Sequence, residues 1–153
     1  MIEEAREEFW DGIRTSPGAQ CPVCDRWGKM YARPFNRGMA RTLIWVYQHA
    51  RRDYRHLSTV APRHILNDNQ VGKLVFWEMA EGQPNKDDPS KKRSGWWRIT
   101  EKGAAFIEGR ITANSHVIEF CQEIYGWRAD QVNMSHVLGR PFHYTELMED
   151  SPP

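Results

Sequence analysis

A chain of 153 residues, 40% of them hydrophobic, is long enough to bury one core and most simply forms one domain with a small appendage. No apolar run approaches the roughly 20 residues of a membrane span, and the acidic start Met-Ile-Glu-Glu-Ala-Arg-Glu-Glu lacks the basic and then apolar pattern of a secretory signal. The net charge of +1 is unevenly spread, with residues 1–20 at −3, 21–110 at +8 and 111–153 at −4. A basic middle between acidic ends suits a core that faces nucleic acid, and equally suits solvated faces that happen to cluster. Three cysteines cannot all pair within the chain, so a reducing cytoplasm is the expected compartment.

In chain order, residues 2–14 predict a short amphipathic helix with Ile2, Phe9, Trp10 and Ile13 available for burial. Ser16-Pro17-Gly18 ends it. Cys21-Pro-Val-Cys24 follows. Two thiols at this spacing resemble half of a zinc knuckle, since both sulfurs can face one tetrahedral centre. No second Cys-x-x-Cys exists. A structural zinc would need Cys121 or a histidine such as His49, His116 or His56, the last being the third ligand expected here. Two ordinary cysteines in a turn are the alternative, and a thioredoxin-like redox pair lacks its strand–helix context. Residues 36–52 are the most periodic helix, with Phe35, Met39, Leu43, Val46 and Ala50 on one face. Arg37 and Arg41 lie opposite, as a phosphate-contacting or simply wet surface.

Ala61 to Leu66 predicts a short helix with proline near its start, and a second helix, about residues 69–77, follows the Asn67-Asp68 turn. Val71, Leu74 and Val75 share its inner face, leaving Asn69, Gln70 and Lys73 outward. Asn and Gln can pair with adenine, and Lys can reach guanine or phosphate. Phe76 and Trp77 are also expected to be exposed, which would suit a protein partner better than a groove. A polar loop carrying Lys91, Lys92 and Arg93 then leads to Gly95-Trp-Trp-Arg-Ile-Thr-Glu-Lys-Gly103. Trp96, Trp97 and Ile99 have strand propensity, and Thr100 with Glu101 form a helix start.

An aromatic strand ending in Ile-Thr-Glu-Lys-Gly resembles the wing strand and following helix of winged helix-turn-helix proteins of the MarR/PadR kind. Those regulators usually place Gly-Leu-Ile where Glu78-Met79-Ala80 stand here. Past Arg110, His116 to Cys121 and Ile124 to Trp127 predict a β-hairpin, and Ser135 to Gly139 a helical turn stopped by glycine. Over most of its length the chain resembles small phage and prophage proteins with an N-terminal Cys-x-x-Cys, a likeness that implies a phage setting and no established activity. The fold expected is α+β. Residues 1–34 carry the first helix and cysteine turn, 35–110 a winged helix-turn-helix core, 111–148 a hairpin–helix extension and 149–153 a disordered tail.

Catalytic signatures are missing: no glycine-rich phosphate loop, no His-Glu-x-x-His and no Gly-x-Ser-x-Gly occur. A non-enzymatic role is expected, with a DNA-binding transcriptional regulator as the first reading. Its nucleic-acid contacts would be Arg37, Arg41, Asn69, Gln70, Lys73, Lys91, Lys92 and Arg93. The alternative is a phage-encoded inhibitor that uses Phe76, Trp77 and acidic flanks to block a host nucleic-acid-dependent defence enzyme. The partners are therefore double-stranded DNA or a host nucleic-acid-binding protein, with homodimer formation left open.

Overall fold

A computed structural model describes residues 1–15, 17–91 and 94–149. Ser16, Lys92, Arg93 and the 150–153 tail lie outside the described residues. The elements run α1 (Ile2–Thr15), β1 (Ala19–Gln20), β2 (Trp27–Gly28), β3 (Tyr31–Pro34), α2 (Arg37–His49), β4 (Arg55–His56), α3 (Leu57–Val60), α4 (Arg63–Asp68), α5 (Val71–Leu74), β5 (Ala80–Gly82), β6 (Trp96–Ile99), α6 (Glu101–Ile107), β7 (Ala113–Asn114), β8 (His116–Phe120), β9 (Glu123–Trp127), β10 (Gln131–Val132), α7 (Met134–Leu138) and α8 (Thr145–Glu149). The fold is α+β with small antiparallel sheets. It divides into two compact units, residues 1–34 with 116–129 and residues 35–115 with 130–153. Residues 111–115 and 130 onward fall in the second unit, and residues 116–129 in the first.

In the first unit, β3 and β9 flank β8 in one antiparallel sheet. Val117 and Glu119 alternate inward on β8. Burying the Glu119 carboxylate requires partners, which are the Arg33 guanidinium and the Gln122 backbone N–H. Phe9 and Trp10 of α1 meet Phe120 edge-on, and Trp10 also meets Tyr125, with ring centroids 4.8 to 6.5 Å apart.

The second unit is built around α2. Asn36 caps it by accepting from the Met39 N–H at 2.9 Å. Met39, Ala40, Leu43, Val46, Tyr47 and Ala50 are at most 1% exposed, and α4, α5, α6, α7 and β6 all lie against the helix. β6 is the central strand of the order β4-β6-β5, and its Ile99 N–H donates to the Ala50 carbonyl at 3.0 Å. The loop between β5 and β6 is pinned at its neck. The Gln83 N–H donates to Trp96, and the Ser94 N–H and hydroxyl both donate to the Gln83 carbonyl.

Two expectations are corrected here. The helix expected over residues 69–77 is only the single turn Val71–Leu74. The Gln70 side chain at its start does not cap it, and the chain must reverse to enter β5. It does so at Glu78, at φ 58, while the Met79 N–H donates back to Leu74. Trp77, expected outside, is 2% exposed. Its ring meets Phe35 edge-on at 5.3 Å, and its indole N–H donates to the Asn114 carbonyl at 2.8 Å. That partner satisfies the indole inside the core.

The turn into β6–α6 is tightly specified. Thr100 accepts from the Gly103 N–H and donates to the Glu78 carbonyl, and a Cβ at Gly103 would overlap the Met79 carbonyl. Thr100→Ala should cost about 1 kcal/mol for the lost cap, and Gly103→Ala about 1–3 kcal/mol for overpacking. Glu78→Gly should instead add roughly 0.5–1 kcal/mol by relieving a left-handed backbone. Urea denaturation midpoints at unchanged slope would check all three.

Candidate nucleic-acid interface

The residues expected to meet nucleic acid lie on the N-terminal end of α2, the α4–α5 connection and the β5–β6 loop. Arg37 and Arg41 stand one helical turn apart on the exposed side of α2. Arg37 lies against Gly139, where α7 ends in the left-handed region. Arg41 is engaged by the Asp68 carboxylate, through Nε at 3.3 Å and Nη2 at 3.2 Å. An arginine already paired to a carboxylate brings less net charge to a phosphate, although a half-exposed pair exchanges readily.

The α4–α5 connection departs from expectation at Gln70. Asn69 ends α4 with φ 48 and is exposed. The Gln70 amide turns inward: its N–H donates to the Asp68 carbonyl at 2.6 Å, while its carbonyl oxygen is buried without a partner. Gly38 on α2 makes room for it, since a Cβ there would come within 3.1 Å of the Gln70 side chain. Gln70 therefore packs over Gly38 of α2 rather than facing out. Lys73 and Phe76 are half-buried. Arg63 and His64, which the sequence reading did not single out, are exposed at the start of α4. Pro62 was the available signal, because it marks a helix start whose first residues face solvent.

In the β5–β6 loop, the Asn85 side chain accepts from the Asp87 and Asp88 N–H groups, and Asp88 accepts from Ser90. Lys91 is exposed, 4.0 Å from Asp88. Lys92 and Arg93 fall outside the described residues.

The cysteine turn belongs to the first unit. β1 and β2 pair as Ala19↔Gly28 and Gln20↔Trp27. Within the turn the Cys21 N–H donates to Arg26 at 2.8 Å and the Asp25 N–H to Cys21 at 2.9 Å, with Asp25 at φ 60. Backbone N–H groups of Cys24 and then Val23 point at the Cys21 sulfur and hold its thiol below the ordinary cysteine value. His56, expected as a zinc ligand, has its Nδ1 in contact with the Ser58 and Thr59 hydroxyls at 3.0 and 3.3 Å, and its ring lies against Trp96 and Gly95. Among the described residues no group of three or more His, Cys, Asp or Glu side chains could hold a metal ion.

A cleft of about 280 Å³ in the second unit is lined by Phe106, Glu108, Met134, Phe142 and Tyr144 among others. Beside it Tyr47 donates to Glu108 at 3.0 Å, and Arg110 donates to the same carboxylate at 2.8 Å. The Arg110 hydrogen bond, aided by that from Tyr47, draws the Glu108 carboxyl below its ordinary value. Burial, then Glu108, pushes the Tyr47 phenol up. No family model, curated protein or solved structure matches this chain.

The signs of these shifts set opposite limits on stability. Glu108 stabilises the fold above its unfolded value and loses that contribution as pH falls through its lowered folded value. Tyr47 stabilises below its unfolded value and loses that as pH rises toward its raised one. Denaturation midpoints measured across pH should therefore fall at both ends, and Glu108→Gln should flatten the acid limb.

Proposed function

We propose that the second unit is a winged helix-turn-helix module that binds duplex DNA. The observation that carries this reading is the chain path. α2, β4, α4, α5, β5 and β6 follow in sequence, and the strands lie in the order β4-β6-β5. That matches a helix and strand, a helix pair and a two-stranded wing, with α3 as one extra turn. Glu78 adds support: its φ of 58 falls where the resembling MarR/PadR regulators carry glycine.

In this reading α4 and α5 are offered to the duplex and the β5–β6 loop is the wing. Residues 35–110 carry 14 basic and eight acidic side chains, enough to attract a polyanion. The inward turn of Gln70 leaves Asn69 as the exposed amide, so phosphate contacts by Arg37, Arg63, Lys73 and Lys91 dominate over base reading. The role is that of a non-enzymatic, cytoplasmic DNA-binding regulator in a phage or prophage setting. The inhibitor alternative rests on Phe76, Trp77 and the acidic flanks; Trp77 lies inside the core and Phe76 is half-buried, which leaves it the acidic flanks alone.

Fluorescence anisotropy with a labelled duplex tests the reading. Affinity should fall steeply as salt rises, and Arg37→Ala and Lys91→Ala should each lower the log–log salt slope by about 1. Asp68→Asn, which releases Arg41, should raise affinity severalfold. Absence of binding at low salt ends the proposal.

A further inference from the structure

The sheet β4-β6-β5 has one face in the core and one outside. On β6, Trp97 and Ile99 are 7% and 6% exposed, whereas Trp96 is 42% exposed, so Trp96 and Arg98 belong to the outer face. The register pairs His56 with Trp96 and Glu81 with Arg98, which puts all four side chains on that face. The cluster is held in place. His56 meets Trp96 edge-on with ring centroids 5.4 Å apart, and its Nδ1 is fixed by the Ser58 and Thr59 hydroxyls. Gly95 makes room for the imidazole, since a Cβ there would come within 2.9 Å of Nε2. Arg98 donates to Glu81 and lies over the Tyr54 ring at 4.5 Å. An edge-on neighbour takes at most one face of an indole and leaves the other for a further ring.

Three exposed arginines border this face, Arg51 and Arg52 in the connection from α2 and Arg55 on the edge strand β4. Residues 51–56 carry three basic side chains against the single acid Asp53, a net +2. Arg51 lies over the Tyr47 ring at 4.6 Å, and Arg55 donates to the His49 carbonyl at 3.2 Å. Both partners are neutral and leave the charges in force, unlike the Asp68 carboxylate on Arg41.

An exposed indole beside such cations suits a single nucleic-acid strand, whose bases stack on the ring while its phosphates meet the charges. Bases stacked inside a duplex offer no free face, so Trp96 suits a base that has left the helix. A protein partner would also cover an exposed tryptophan, but the bordering charge favours a polyanion. We infer that this face holds the unpaired strand of DNA at a duplex end or fork, with a base stacked on Trp96 and phosphates on Arg52 and Arg55. The site rests on the duplex reading for its point of entry. The β5–β6 loop that carries Lys91 ends where β6 begins, at Trp96. From there β6 runs about 10 Å to Ile99, whose N–H donates to Ala50 beside the arginine connection.

Anisotropy on the full chain compares a blunt duplex, the same duplex with a 5′ or a 3′ overhang of about eight thymidines, and the overhang strand alone. At least one overhang should raise affinity about tenfold over the blunt duplex. Trp96→Ala should remove that gain and leave blunt-duplex affinity unchanged, while Trp96→Phe keeps most of it. Arg52→Ala should lower the salt slope of the overhang duplex by about 0.7 and leave that of the blunt duplex as it was. Should circular dichroism show Trp96→Ala misfolded, Arg52→Ala decides. Blunt-duplex binding with no gain from either overhang overturns the strand site and leaves the duplex reading standing; a protein-docking face would give that result. Binding of the single strand without the blunt duplex overturns the duplex reading and keeps the strand site. A gain that survives Trp96→Ala overturns the stacking on Trp96, and a chain that binds none of these DNAs ends both.

Discussion

The burial of α2 is the constraint on which the second unit depends. Most of this helix lies inside: Met39, Ala40, Thr42, Leu43, Trp45, Val46 and Tyr47 are all buried. A helix enclosed on so much of its circumference needs neighbours on several sides, and α4, α5, α6, α7 and β6 provide them. The Asn36 cap starts the helix, and the bond from Ile99 to the Ala50 carbonyl ties its far end to the sheet. What remains outside is a strip bearing Arg37 and Arg41. The candidate interface is therefore a by-product of how thoroughly the rest of the helix is used.

That strip is tied to the α4–α5 connection through the Asp68 carboxylate. Asp68 accepts from Arg41 and also offers its carbonyl to Gln70. A side chain that suits base recognition by its chemistry is thereby turned inward onto its own connection. Geometry thus moves the chemistry of the surface away from amide readout and toward simple charge, which governs affinity more than sequence preference.

The elements with strong local signals were legible in the sequence. The stripe Phe35, Met39, Leu43, Val46 and Ala50 is buried as its spacing requires, and the hairpin over 116–127 and the glycine stop at Gly139 follow from β-propensity and backbone preference. Residues 69–78 are less legible. Their apolar positions fit a longer helix, but the decisive event is a left-handed residue at Glu78, and glutamate gives no hint of that. The burial of Trp77 is hidden for a related reason: its indole partner is the Asn114 carbonyl, a long-range pairing that no local pattern encodes. In the cysteine turn the spacing was visible, whereas the N–H groups directed at Cys21 could be seen only in three dimensions.

The neck of the β5–β6 loop has a consequence of its own. Gln83 and Ser94 close the loop on each other, and Gln83 is bonded onward to the Trp96 backbone, so the central strand is anchored without help from the residues beyond. The cost of lengthening a closed loop grows only slowly with its size. Peptide tags, fluorophore sites or altered charge can thus be inserted between Pro84 and Lys91 while the hydrophobic interior keeps its arrangement. That makes the segment a natural handle for labelling the molecule and a place where related chains could diverge in length.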